Sequence, residues 1–144
     1  MGGCQCGVVR YEIAAASLTG YACHCRECQK QSASAFGVSV PVREEDFALV
    51  GQTRVWSRPT DSGSITDCHF CPQCGSRLYH SGRGGREWIT VKGGSLDDPS
   101  AVNIVAHIWV KRAVPWITLP KGLPQWDTQP QTLARWRELL GWNA

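Results

Sequence analysis

The segment Cys71-Pro72-Gln73-Cys74-Gly75 carries two thiols separated by two residues. At that spacing a tight turn delivers both sulfurs to one side of a tetrahedral zinc. Pro72 helps to fix the turn, and Gly75 leaves room for backbone amides to approach the sulfurs. A knuckle of this kind supplies two of four ligands. Cys4-Gln5-Cys6-Gly7, a second cysteine pair also closed by glycine, is the candidate for the other two. If Cys4, Cys6, Cys71 and Cys74 share one zinc, the metal ties together the ends of a long loop and holds the fold.

Between the two pairs lies Cys23-His24-Cys25-Arg26-Glu27-Cys28. Its three thiolates are close enough in sequence to chelate one face of a second metal. Three protein ligands with an open position are the pattern of a catalytic zinc, whereas four are the pattern of a structural one. Three thiolates around Zn²⁺ carry a net charge of about −1, which weakens the metal towards water. Such a site generates hydroxide poorly and takes up a further thiol well. The chemistry implied is thiol capture and attack on an electrophile, more than metal-assisted hydrolysis. His24 or Cys68 would close the site by filling the fourth position. His24 lies between two ligands and is expected to point away, and Cys68, three residues before the knuckle, reads as a free buried thiol. The open site is the favoured reading.

Other residues carry weaker signals. His69 and His80 flank the knuckle and read as structural histidines, as does His107 among its apolar neighbours. The seven tryptophans are scattered rather than interleaved with basic residues, which suits packing better than base stacking. Arg83 and Arg86 sit on a glycine-rich loop; most such loops are simply solvated, and the alternative reading is that this one reaches an anionic substrate.

The chain has ordinary single-domain length, and residues 1–144 are read as one zinc-binding domain. A formal charge of +3 is too small to argue for nucleic acid. No apolar run is long enough to span a membrane. The start, Met1-Gly2-Gly3-Cys4, lacks a basic region followed by an apolar one, so nothing points to secretion and a cytoplasmic location is expected. There, clustered cysteines are ligands more often than disulfides, and cysteines one residue apart make good chelate arms.

The elements that position these residues are mostly short strands. Val8–Ile13 alternates with Val9, Tyr11 and Ile13 on one side. Further strands are expected at 18–22, 36–42, 47–50, 53–57, 65–70, 77–80, 88–92 and 102–109. Polar, unbranched residues from Arg26 to Ser34 predict a helical turn just after the cysteine cluster. The stretch 82–86 reads as a loop, and the proline- and tryptophan-rich stretch 115–130 as an extended surface wrap. Gln131–Leu140 places Leu133, Trp136 and Leu140 at helical spacing, with Gly141 as its stop and Asp127 or Thr128 as its cap.

Taken together, these motifs resemble the glutathione-dependent formaldehyde-activating enzyme family, which includes the centromere protein V type of domain. The resemblance runs nearly end to end. Gly3-Cys4-Gln5-Cys6-Gly7 is similar to the family's opening motif, Cys23 to Cys28 to its central one, and Phe70-Cys71-Pro72-Gln73-Cys74-Gly75-Ser76 to its third. Gly94 to Pro99, followed by His107-Ile108 and Lys111, resembles its C-terminal signature. Cys68 departs from it, standing where a basic residue is expected. The resemblance implies a mainly β fold of the Mss4-like or β-tent kind, with zinc-bound antiparallel sheets and one short C-terminal helix. It implies two zincs per chain: a structural one on Cys4, Cys6, Cys71 and Cys74, and a labile, catalytic one on Cys23, Cys25 and Cys28. It also implies a carbon–sulfur lyase activity that joins glutathione and formaldehyde as small-molecule partners. The alternative is a non-catalytic module whose zincs are both structural and whose surface binds protein or nucleic acid.

Overall fold

The computed structural model describes residues 1–83 and 87–142. Its strands are β1 (Gly2–Gly3), β2 (Arg10–Ile13), β3 (Leu18–Cys23), β4 (Gly37–Arg43), β5 (Phe47–Val50), β6 (Arg54–Pro59), β7 (Ile65–Phe70), β8 (Arg77–Gly82), β9 (Trp88–Lys92) and β10 (Val102–Ile108). Helix α1 (Arg26–Ser32) follows β3, and α2 (Leu133–Leu140) lies near the C-terminus. The fold is mainly β, as expected.

The strands form a three-stranded sheet, β1-β2-β5, and a seven-stranded one ordered β10-β3-β4-β9-β8-β7-β6. Every pairing is antiparallel except β10 with β3. Period-two alternation divides the work of the large sheet's two faces. In β9, Ile89 and Val91 join Val9, Tyr11, Val40, Val42 and Leu78 in the main core between the sheets. Trp88, Thr90 and Lys92, on alternate positions of the same strand, line a cleft on the other face. That two-sided burial explains why β9 reads as a continuous run with little exposed surface.

Residues 4–9 form a closed turn and not the first part of the predicted strand at 8–13. Cys4 N donates to Val9 O at 3.0 Å, Gly7 N donates to Cys4 O at 3.0 Å, and Gly7 takes φ +81°. β1 was not expected from two glycines. It exists because a Cβ at Gly2 would run into the Tyr11 ring and lie 2.6 Å from Ser95 O, so only glycine lets this strand approach β2.

α2 is capped by Thr132, whose hydroxyl accepts from Arg135 N at 3.2 Å, and not by Asp127 or Thr128. Those two residues instead belong to a strap bonded along the end of β10. His107 N donates to Pro124 O at 3.0 Å, Trp126 N to His107 O at 3.0 Å, and Val110 N to Trp126 O at 3.1 Å. The extended strap presents its carbonyls, those of Pro124, Trp126, Asp127 and Thr128, and the amide of Trp126 to this pairing, so Pro124's missing N–H costs it nothing. Of the expected loop at 82–86, Gly82 ends β8, and 84–86, with Arg86, lie outside the described residues.

Candidate metal centres and the cleft beside them

The turn after β7 builds the knuckle. Gly75 N donates to Cys71 O at 3.0 Å and Cys71 N to Ser76 O at 2.9 Å, and Gly75 adopts φ +77°, a conformation costly for any residue with a Cβ. Gln73 N and Cys74 N point at Cys71 Sγ from 3.4 and 3.5 Å, and Val9 N points at Cys4 Sγ from 3.2 Å. Amides aimed at sulfur stabilise thiolate charge. Ser76 bridges the two halves, with its Oγ 3.2 Å from Cys74 Sγ and accepting from Gln5 N at 3.0 Å. These contacts, the Ser76 hydroxyl foremost, hold the Cys74 thiol down at about 5.

Cys4, Cys6, Cys71 and Cys74 bring their sulfurs within 4.8 Å of one another. Cys4 to Cys6 measures 3.5 Å and Cys6 to Cys71 3.8 Å. A tetrahedron with Zn–S bonds of about 2.3 Å has edges of about 3.8 Å. Both the donor chemistry and the spacing therefore fit zinc.

The second cluster lies where β3 runs into α1. Cys23 ends the strand, Cys25 is the N-cap of the helix, and Cys28 sits in its first turn. Cys28 N donates to Cys25 Sγ at 3.4 Å, so the helix's own capping requirement aims that sulfur inward. The three sulfurs lie within 4.8 Å of one another, and among the described residues no fourth cysteine, histidine or carboxylate joins them. Hydrogen bonds from Cys23 and then Cys28 hold the Cys25 thiol down at about 2, while the same bonds to Cys25 and Cys28 push Cys23 up. Three thiols this close together, ionised in part, suit a soft dication such as zinc.

Neither proposed fourth ligand is near. His24 is fully buried and turned away, its Nε2 2.9 Å from His107 Nδ1. Cys68 is buried in β7, with its Sγ 3.9 Å from Thr66 O. Gln29 fixes the cluster's setting from behind, its Nε2 donating to His24 O at 2.7 Å and to Arg112 O at 2.9 Å.

The trio opens onto a cleft of about 550 Å³. Lys92, Arg58 and Arg112 line it. These cations were not singled out in the sequence. Arg83, which was, pairs with Asp67 at 3.0 Å instead and is not part of the cleft. Alternation within β9 was the signal available for Lys92, since it shares a face with Trp88 and Thr90. Lys92 Nζ is 3.5 Å from Ser39 Oγ, and burial lowers its pKa against the opposing pull of Cys28 and Cys23. His80 also faces the cleft. Burial, and then Lys92, Arg77 and Arg58, keep it neutral, and its Nε2 accepts from Arg77 Nη1 at 3.1 Å. Tyr21, Trp109 and Trp136 pack around Cys23, Cys28 and Ile108.

Residues 1–112 match the model of the family described as glutathione-dependent formaldehyde-activating enzyme. A crystal structure of a Rhodobacter sphaeroides protein from a structural genomics programme shares the fold, with a TM-score of 0.54 and 19% identity. The alignment covers 87% of this chain and 97% of that one. No curated protein matches the chain.

Proposed function

The chain belongs to the glutathione-dependent formaldehyde-activating enzyme family, and on that premise we propose that it is a zinc-dependent enzyme of the carbon–sulfur lyase type. It joins a small thiol such as glutathione to a small aldehyde such as formaldehyde and releases it in reverse. The observation that carries this reading is the trio of sulfurs, within 4.8 Å of one another, on the wall of a cleft that also holds Lys92, Arg58 and Arg112. Cys4, Cys6, Cys71 and Cys74 hold a structural zinc, and Cys23, Cys25 and Cys28 hold a second one. Bound there, the second metal supplies a thiophilic centre that keeps an incoming sulfur deprotonated.

The chain's own residues do the rest. Arg58 and Arg112 receive the thiol's carboxylates through charge-assisted hydrogen bonds. The Lys92 ammonium donates to the aldehyde oxygen as that oxygen gains charge. One C–S bond forms, the carbonyl π bond breaks and the thiol's proton ends on oxygen, so no oxidant or reductant is needed. Cysteines that serve as metal ligands and not as disulfides suit a reducing compartment, and we place the protein in the cytoplasm.

Exchange NMR on glutathione–formaldehyde mixtures tests the proposal. Zinc-loaded protein is expected to accelerate exchange between free and hydroxymethylated glutathione. Cys25→Ser is expected to abolish the acceleration while remaining folded with one zinc. An exchange rate that wild-type protein leaves unchanged refutes the activity.

A further inference from the structure

The family match ends at residue 112, yet part of the cleft wall comes from further along the chain. Leu133 and Trp136, both in α2, line the cleft. Trp136 packs on Tyr21 with ring centroids 5.0 Å apart, and Leu133 is 53% exposed although it stands at the cleft. The segment carrying them is anchored at both ends. Its strap bonds along β10, and beyond α2 Trp142 meets Trp88 edge-on at 5.4 Å, with Leu140 buried. Such anchoring gives the wall a defined place rather than that of a loose tail.

Sheet order sets this wall across the cleft from Lys92, His80, Thr66 and Arg58, with Arg112 on the wall's own side and Trp88 on the far one. Tyr21 and Ile108 come from β3 and β10 at one edge of the large sheet, with α2 against them. Lys92, His80, Thr66 and Arg58 come from β9, β8, β7 and β6 on the other side of β4. The three sulfurs begin at the end of β3. A thiol that spans the cleft between Arg58 and Arg112, with its sulfur at the trio, leaves its reacting partner beside Leu133 and Trp136. Formaldehyde has no surface to bury there.

We infer that the C-terminal segment makes this site selective for an aldehyde bearing an apolar alkyl or aryl group, with Leu133 and Trp136 as specificity-determining residues. The inference rests on the thiol–aldehyde reading above and adds the class of aldehyde. The step is R–SH + R′–CHO → R–S–CH(OH)–R′. The C–S bond forms, the carbonyl π bond opens, the thiol proton is transferred to oxygen, and R′ lies against the α2 wall.

Calorimetric binding of S-hexylglutathione and S-methylglutathione to zinc-loaded protein separates the possibilities without turnover. Each buried methylene is worth roughly a fourfold gain, so partial burial of the longer chain is expected to make S-hexylglutathione bind at least about tenfold tighter. Trp136→Ala and Leu133→Ser are each expected to shrink that ratio to about threefold or less, on the same scale. Leu133→Ser alters an exposed position and keeps the test available if Trp136→Ala does not fold. Equal affinity for the two ligands in wild-type protein, or a ratio that survives Leu133→Ser, overturns the inference and leaves glutathione recognition standing. If neither ligand binds, glutathione recognition fails and the inference falls with it.

Discussion

The double variant Cys6→Ser/Cys74→Ser separates a metal that holds the fold from one that merely decorates it. Cys6 is exposed and Cys74 half-buried, so the substitutions leave the packed core intact. One ligand remains on each side, too few to hold zinc. The metal's structural contribution can be gauged from the chain it closes. Cys6 and Cys71 are 65 positions apart, and closing a loop of that length restricts the unfolded chain by about 4 kcal/mol on the cross-link entropy relation. That is a large share of the roughly 5–15 kcal/mol that holds a domain together. At about 3–4 °C per kcal/mol for a chain of this size, the unfolding midpoint is expected to fall by roughly 12–16 °C. Cys25→Ser is the control, because Cys23, Cys25 and Cys28 span one strand end and one helical turn and close almost no loop. Its midpoint should move by half as much or less. Melts followed by circular dichroism, with metal content measured on the same samples, give both numbers. A double variant that melts within a few degrees of wild type, or keeps two zincs, refutes the reasoning.

Three further outcomes are expected. His80 has its pKa depressed below the ordinary 6.5 by burial and by Lys92, Arg77 and Arg58. Its contribution is therefore complete above pH 6.5 and is lost as pH falls, because the unfolded chain takes up the proton first. Urea titrations of wild type should lose up to about 1.4 kcal/mol per pH unit more than His80→Gln below that point, and parallel pH curves would exclude this. Ala33 ends α1 in the left-handed conformation, at φ 49°, so Ala33→Gly should raise stability by about 1 kcal/mol, read as a higher urea midpoint; a lower one would show that this cap carries no strain. Cys68→Ala should keep the full zinc content, since its sulfur joins neither cluster, and should cost about 1 kcal/mol for the small cavity left in β7. Loss of one zinc in metal analysis would make Cys68 a ligand.

The cysteine spacing was enough, read as sequence, to group Cys4 and Cys6 with Cys71 and Cys74, and to set Cys23, Cys25 and Cys28 apart. Chelate spacing is a local property: two residues between thiols leave few backbone paths, and glycine at 7 and 75 marks the turns they need. Alternation located most strands for the same reason, because side-chain period is set by the backbone. It overran at Val8 and Val9, where the turn closing on Cys4 took the backbone amides a strand would have used. The capping residue of α2 was misplaced because the strap pairs with β10, and such pairing between distant segments leaves no local trace. Lys92, Arg58 and Arg112 were not legible as one cleft, since they converge only when β9, β6 and the turn after β10 are brought together. Arg83 had equal claim in the sequence and was spent on Asp67. The aromatic wall from α2 was decided in the same way. Leu133 and Trp136 have helical spacing that predicts an apolar face, but which surface that face meets is set by the sheet order placing β3 and β10 at one edge, a long-range pairing that no local pattern encodes.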